Sequence, residues 1–251
     1  MRRWPHRIWA GTGACAVVLF ACGLVFADLL GSSNYPPLDA SAARIRTYFL
    51  HNAVEVRALA FFHVLSALAL LCFVAHLHWR MRGESNRALV WAGGVTAGVF
   101  LLVSALAYRT LAVPAIAGDP AVSHALFVVS YLAGGPAIAA PLALAILAAG
   151  VLARRGGPLP RWMRRLGAVA ALLSLVSVGT LLAPLDNRSV LYGVLLLAAI
   201  LSLLWVLLAS LLLAIEPPAG QDQAAPRPRE YWDDPLVWWL WDVEAERLAA
   251  E

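Results

Sequence analysis

The sequence predicts an all-α membrane protein, a polytopic bundle of six transmembrane helices with a short cytoplasmic amphipathic helix at its C-terminus. Hydrophobic residues make up 61% of the chain and charged residues 14%, against roughly 25% charged residues in soluble domains. Six apolar runs each exceed the roughly 20 residues that cross a bilayer as a helix. Lipid offers the backbone no hydrogen-bonding partner, so we expect each run to be helical. The runs cover approximately residues 8–30, 57–79, 88–112, 121–153, 162–184 and 189–215.

The arginines predict how the runs are oriented. All 19 basic residues are Arg. Eleven lie before the first run, between the second and third, and between the fourth and fifth, whereas five lie in the other connections. Cytoplasmic loops carry the excess of basic residues, so both termini are predicted in the cytoplasm. The Arg-only composition, rich in Ala, Gly, Pro and Leu, is typical of GC-rich bacteria and indicates a bacterial plasma membrane. We expect the bilayer as a partner and no nucleic acid.

The first run has two interpretations. A basic start and small residues near Ala27 resemble a signal peptide. However, the apolar stretch Ile8–Leu30 is longer than the usual 7–15-residue signal core. We therefore predict a retained transmembrane helix.

The longest external segment, about residues 31–56, predicts a short amphipathic helix. A turn-rich stretch comes first, and Asp39 or Ser41 could then cap the helix. Ile45 and Phe49 fall near one face at helical spacing. We expect this face to lie on the outer leaflet; a lid over a ligand is the alternative.

The fourth run contains its own helix breakers. Gly134, Gly135 and Pro136 stand in sequence, and Pro141 follows. Proline removes a backbone hydrogen bond and clashes with the preceding turn, so a kink is predicted. Such a kink can be purely structural, but broken helices also form binding sites in transporters.

A few polar residues are the candidates for chemistry. His63 lies about 9 Å and His124 about 6 Å into their runs from the external side, and Asp28 ends the first run on that side. The histidines could simply bond to water, backbone or lipid. They could also ligate haem iron or another metal, or relay protons and bind a small ligand. The candidate ligand-binding residues are Asp28, His63, His124, Gly134, Gly135 and Pro136.

Enzyme chemistry has no support in the sequence. Cys15, Cys22 and Cys72 all lie in apolar runs, where Cys behaves as a small hydrophobe. No GxSxG, HExxH or P-loop motif is present. We therefore predict no catalytic residue, no metal site and no cofactor, with haem as the alternative.

The C-terminal segment differs from the rest of the chain. Residues 216–229 are rich in Pro, Ala and Gln and predict a flexible linker. Residues 230–251 are acidic, and Asp234 followed by Pro235 is a typical helix start. Aromatic side chains this dense need a covering surface, which is the membrane domain, a protein partner or, as a third alternative that the acidic charge disfavours, the lipid interface. The candidate partner-binding residues are Trp232, Trp238, Trp239 and Trp241.

Three stretches carry a resemblance to a known group. They are residues 37–45 leading into Glu55-Val56-Arg57, Gly134-Gly135-Pro136 with Pro141-Leu142, and Leu159-Pro160-Arg161-Trp162. Over about residues 8–215 the chain resembles a family of six-helix bacterial membrane proteins, of the actinobacterial type, that is a domain of unknown function. The resemblance implies an integral membrane fold and no activity.

The leading functional interpretation is a non-enzymatic membrane protein, an accessory or partner-binding subunit that uses its Trp-rich tail. The competing interpretation is a small-molecule or ion transporter, or a ligand-binding protein, that uses the kinked fourth helix. A haem- or metal-binding membrane protein is the third.

Overall fold

The computed structural model describes residues 4–28, 31, 34–82, 84–150, 159–182 and 190–215, all within one compact unit that spans residues 1–215. These ranges contain helices and no strands. The predicted linker and C-terminal helix, with their four tryptophans, lie outside the described residues. The helices are α1 (Trp4–Asp28), α2 (Ala42–His51), α3 (Ala53–Arg80), α4 (Arg87–Leu111), α5 (Pro114–Ala117), α6 (Pro120–Gly134), α7 (Pro136–Gly150), α8 (Arg161–Ser177, continued by a 3-10 turn Val178–Leu181) and α9 (Val190–Ile215).

Six helical stretches in the described part of the chain are long and apolar enough to cross a membrane. This confirms the predicted all-α, six-span fold class, and the protein is a multi-pass membrane protein. The stretches are Arg7–Asp28, Ala53–Arg80, Arg87–Leu111, Pro120–Gly150, Arg161–Leu181 and Val190–Ile215.

The six spans form a closed ring in chain order. α1 packs on α3, α3 on α4, α4 on both α6 and α7, α7 on α8, α8 on α9, and α9 returns to α1. We call the end of the ring that carries α2 and α5 the cap end, and the end where α1 begins and α9 ends the N-terminal end. By the arginine distribution the cap end is the predicted external one.

The fourth span is broken, as its sequence predicts. α6 ends at Gly134 and α7 begins at Pro136, with φ −115° and ψ −98° at Gly135 between them. Since Pro136 has no N–H, the regular helical bonding cannot run through this point. The two halves therefore meet at an angle midway through the span.

The segment before α3 caps the bundle. The Ser41 side chain accepts a hydrogen bond from the backbone N–H of Arg44 and begins α2. Ile45 and Phe49 are fully buried, and α2 packs on α6. The predicted amphipathic helix is present, but protein rather than lipid covers its apolar face. We call residues 34–51 the cap.

Large buried side chains pack between the helices at the N-terminal end. Phe73, Met163, Trp205 and Leu213 are almost fully buried there. An added Cβ at Gly93 of α4 would collide with the backbone oxygen of Pro141, so glycine is what allows α4 and α7 to approach this closely.

Candidate functional site

A cavity of about 260 Å³ lies inside the ring of helices. Every one of the six spans contributes to its wall, and most of the lining side chains are aliphatic. No Arg, Asp or Glu is among the described lining residues. The polar lining side chains are His63, Ser66, Ser104, Tyr108, Ser130, Tyr131, Ser174, Tyr192 and Ser202. An apolar pocket with a few convergent polar groups is the usual form of a small-molecule site.

His63 is the distinctive group of this cavity. Its side chain is 3% exposed, and neither Nδ1 nor Nε2 has a hydrogen-bond partner among the residues that the structure describes. One face of the imidazole stacks on Phe20, with ring centroids 4.9 Å apart and 3° between the planes. The Tyr108 ring stands edge-on to it at 6.0 Å. The ring is thus held in place by aromatic contacts, while its hydrogen-bonding atoms are unused.

A glycine on α1 makes room for this imidazole. An added Cβ at Gly23 would lie 3.2 Å from Cδ2 of His63 and 3.2 Å from Cβ of Phe62. These distances are tighter than ordinary van der Waals contact, so a larger residue would push α1 away from α3. Gly23 therefore lets Phe20, one turn earlier, reach the face of the His63 ring.

The break in the fourth span forms the opposite wall. Gly134 and Gly135 both line the cavity. An added Cβ at Gly134 would lie 2.6 Å from Oγ of Ser104, which itself donates to the Ser130 carbonyl at 2.8 Å. The glycine pair brings α6 against α4 and leaves small groups facing the interior. The break therefore positions the cavity wall.

Most serine hydroxyl groups around the cavity already donate hydrogen bonds to other protein atoms. The Ser66 hydroxyl donates to the Ala16 carbonyl at 2.8 Å and the Ser130 hydroxyl donates to the Phe127 carbonyl at 2.8 Å. Ser174 and Ser202 hydroxyls share a hydrogen bond of 3.2 Å. A serine oxygen that donates can still accept, so these groups offer acceptors, whereas a neutral imidazole offers one donor and one acceptor.

The cap covers one end of the cavity with aromatic side chains. The Tyr35 and Tyr108 hydroxyls hydrogen-bond at 2.7 Å, and the Tyr48 hydroxyl donates to the Ala27 carbonyl at 2.9 Å. Phe49 and Phe127 pack beside them with ring centroids 5.9 Å apart. Burial raises the pKa of Tyr35 well above its ordinary value and that of Tyr48 to about 12. Both phenols are therefore neutral at physiological pH, and the cap places uncharged aromatic side chains over this end of the cavity.

The floor of the cavity merges with the packed N-terminal end. Leu70, Leu142 and Val206 line the cavity and also belong to the buried cluster at that end. Trp205 lies directly beyond them and donates its indole N–H to the Met163 carbonyl at 3.2 Å. The cavity is consequently covered at both ends of the ring.

The structure brings some of the predicted site residues together. His63, Gly134 and Gly135 line the same cavity. Asp28 is the exposed last residue of α1, and His124 is half-buried in the first half of α6. Neither lines the cavity. Pro136 is buried at the start of α7 and shapes the break without lining the cavity.

Sequence reasoning missed several lining residues. Phe20 and Tyr108 hold the His63 ring, yet each reads as an ordinary aromatic residue of an apolar run. The serines Ser66, Ser104 and Ser130, which lie inside three different spans, were a usable signal, because polar residues inside spans usually face other helices.

The structure adds no observation in favour of a metal site at this cavity within the described residues. In the described ranges, no three or more His, Cys, Asp and Glu side chains form a group that could hold a metal ion. The haem interpretation stays a prediction. Compared with protein-family models, curated proteins and solved structures, the chain matches none.

Proposed function

We propose that this protein is a ligand-binding integral membrane protein, and that its site is the cavity at His63. The observation that carries the proposal is a buried imidazole that faces a cavity with both nitrogens unpartnered. An unpaired buried polar group costs about 1–3 kcal/mol, so a ligand that bonds to it relieves a cost already present in the free protein.

The size and lining of the cavity define the ligand. Pockets for small molecules usually measure roughly 300–1,000 Å³, and this one holds about 260 Å³. The ligand, or the part of it inside the ring, is therefore small and largely apolar. One carbonyl or hydroxyl group on it would hydrogen-bond to His63. No charged side chain among the described lining residues would compensate a charged ligand.

The test uses 4-fluorophenol as a neutral probe with one hydroxyl group. Fluorine NMR of the protein in lipid nanodiscs should show a saturable bound fraction above simple lipid partitioning. His63→Phe should weaken saturable binding about tenfold, which corresponds to one lost hydrogen bond of about 1.4 kcal/mol.

A second histidine supplies the matched control. His124→Phe makes the same chemical change on α6, outside the cavity lining, and should leave binding unchanged. Absence of saturable binding to the wild-type protein, or equal binding by the His63 variant, would overturn the proposal.

An accessory role through the Trp-rich tail remains a separate proposal, since residues 230–251 lie outside the described ranges. Deleting these residues should remove a co-purifying protein. Retention of every partner by the shortened chain would contradict tail-mediated binding.

We also propose that the cap end faces the outside of the cell, and the arginine distribution supports this orientation.

A further inference from the structure

In the described ranges, exposed residues of the cavity wall occur on two of the six spans. Among the described lining residues, Leu24 on α1 and Leu196 and Ala199 on α9 are exposed, while the remaining ones are buried or half-buried. Leu24 and Leu196 are each 48% exposed. A residue that faces both the cavity and the outside marks the place where the two communicate. That place is the seam between α1 and α9.

The contacts between α1 and α9 explain why the seam opens in the cap-end half and is closed at the N-terminal end. At the N-terminal end, the Ser210 hydroxyl donates to the Ala10 carbonyl at 2.5 Å and accepts from the Ala14 N–H at 2.8 Å. Gly13 allows the same close approach, since its added Cβ would lie 3.0 Å from Cβ of Ser210. The two helices are fastened there, and the exposed lining residues lie further toward the cap end.

The seam lies at the depth of the lipid chains. Leu24 is four residues from the end of α1 at Asp28, about 6 Å along the axis, and Ala199 is nine residues from the start of α9 at Val190, about 14 Å. Both positions fall inside the roughly 30 Å hydrocarbon layer if the spans cross it fully. The cap and the packed N-terminal core cover the two ends that would face water.

We propose that the cavity takes its ligand sideways from the bilayer, between α1 and α9, and that this ligand is a neutral single-chain amphiphile with an alcohol or carbonyl head. This inference rests on the proposed function. The head group bonds to His63, and the alkyl chain leaves through the seam past Leu24 and Ala199. A cavity of about 260 Å³ holds the head and the first part of such a chain, and the remainder lies in lipid.

The experiment uses a hexadecanol derivative that carries a diazirine near its hydroxyl group, added to the full-length protein in nanodiscs. After illumination, peptide mass spectrometry should find labels on buried wall residues such as Leu101 and Ser130, and excess hexadecanol should remove them. Labels on the exposed outer faces of helices report lipid contact and do not count. The corresponding fatty acid at pH 9, where its head is ionised, should not label the buried wall.

Two tryptophan variants test the route. Ala199→Trp fills the seam and should reduce labelling of Leu101 and Ser130 at least fivefold. Ala125→Trp makes the same change at an exposed position of α6 outside the lining and should have no effect. Circular dichroism and thermal unfolding check that both variants are folded.

The outcomes separate this inference from the proposed function. If 4-fluorophenol binds in a His63-dependent way but the buried wall is not labelled by the alcohol, or Ala199→Trp does not reduce its labelling, lateral access is wrong and the cavity is still a binding site. Equal labelling by the ionised fatty acid would refute the neutral head. If 4-fluorophenol shows no saturable binding, both proposals fall.

Discussion

The two halves of the bundle use similar small residues but place different partners opposite them. At the N-terminal end several glycines meet larger side chains. Added Cβ atoms would collide with Phe73 at Gly13, with Val74 at Gly94 and with Trp205 at Gly167. At the cap-end half, small residues meet across the interior and leave the cavity between them. These small residues include Ser66, Ser104, Ser130, Gly134, Ala139 and Ser202.

Three buried polar groups illustrate the difference. The Trp205 N–H and the Ser210 hydroxyl, at the N-terminal end, both bond to backbone carbonyls of neighbouring helices. The imidazole nitrogens of His63, in the other half, have no hydrogen-bond partner in the described part of the chain. A closely packed half gives rigidity, whereas a half with a cavity and an unpartnered imidazole beside it gives a place for a ligand. Stability and binding are therefore expected to respond to different residues.

The largest expected effect on stability comes from truncating a large buried side chain at the N-terminal end. Trp205→Ala should lower the free energy of unfolding by about 3–5 kcal/mol, because it removes a buried indole from a region with no room to collapse. Reversible unfolding in mixed detergent micelles measures the change. Trp162→Ala, at a half-exposed position on α8, should cost much less. Equal losses for the two variants would mean that the N-terminal end is not the rigid half.

A smaller effect of opposite sign is expected at the half with the cavity. His63→Phe removes the unpartnered polar atoms and keeps a ring that stacks on Phe20, so the ligand-free protein should become more stable by about 1 kcal/mol. The same unfolding measurement, without added probe, tests this gain. His124→Phe is the control. A clear loss of stability in the His63 variant would show that the imidazole has a structural partner.

Much of the fold followed from the sequence because it depends on local length and composition. Six long apolar runs can only be spans, and Gly135 next to Pro136 breaks a helix wherever it stands. The burial of α2 could not be foreseen, since an apolar face at Ile45 and Phe49 suits lipid and protein equally well. Helical spacing identifies such a face without identifying what covers it.

The candidate site was only partly predictable for a related reason. His63 was recognisable because an ionisable residue inside a span is costly and rare. The cavity beside it depends on which faces of α1, α4 and α9 meet, and apolar spans carry little periodic signal for that. Asp28 and His124 share its predicted side of the membrane, yet side alone does not bring residues into one pocket.

The cap gives the smallest expected effect, and it depends on pH. Burial, aided by the Asp28 and Glu55 carboxylates, raises the pKa of Tyr48 to about 12. In the unfolded chain this phenol ionises near pH 10, whereas in the folded protein it stays neutral until about pH 12. Its contribution to stability is complete below pH 10 and is lost as pH rises from 10 to 12.

The variant Tyr48→Phe distinguishes the contribution of the Tyr48 phenol to stability from general alkaline unfolding. At pH 8 the variant should be less stable by about 1 kcal/mol, because the Ala27 carbonyl loses the hydroxyl that donates to it. As pH rises from 10 to 12 the wild-type protein loses stability because Tyr48 ionises more readily in the unfolded chain, and the variant does not, so the stability difference should shrink and then reverse sign. A stability difference that stays constant from pH 8 to pH 12 would show that the Tyr48 phenol is not protected by the cap, and that the half with the cavity is open to water at this end.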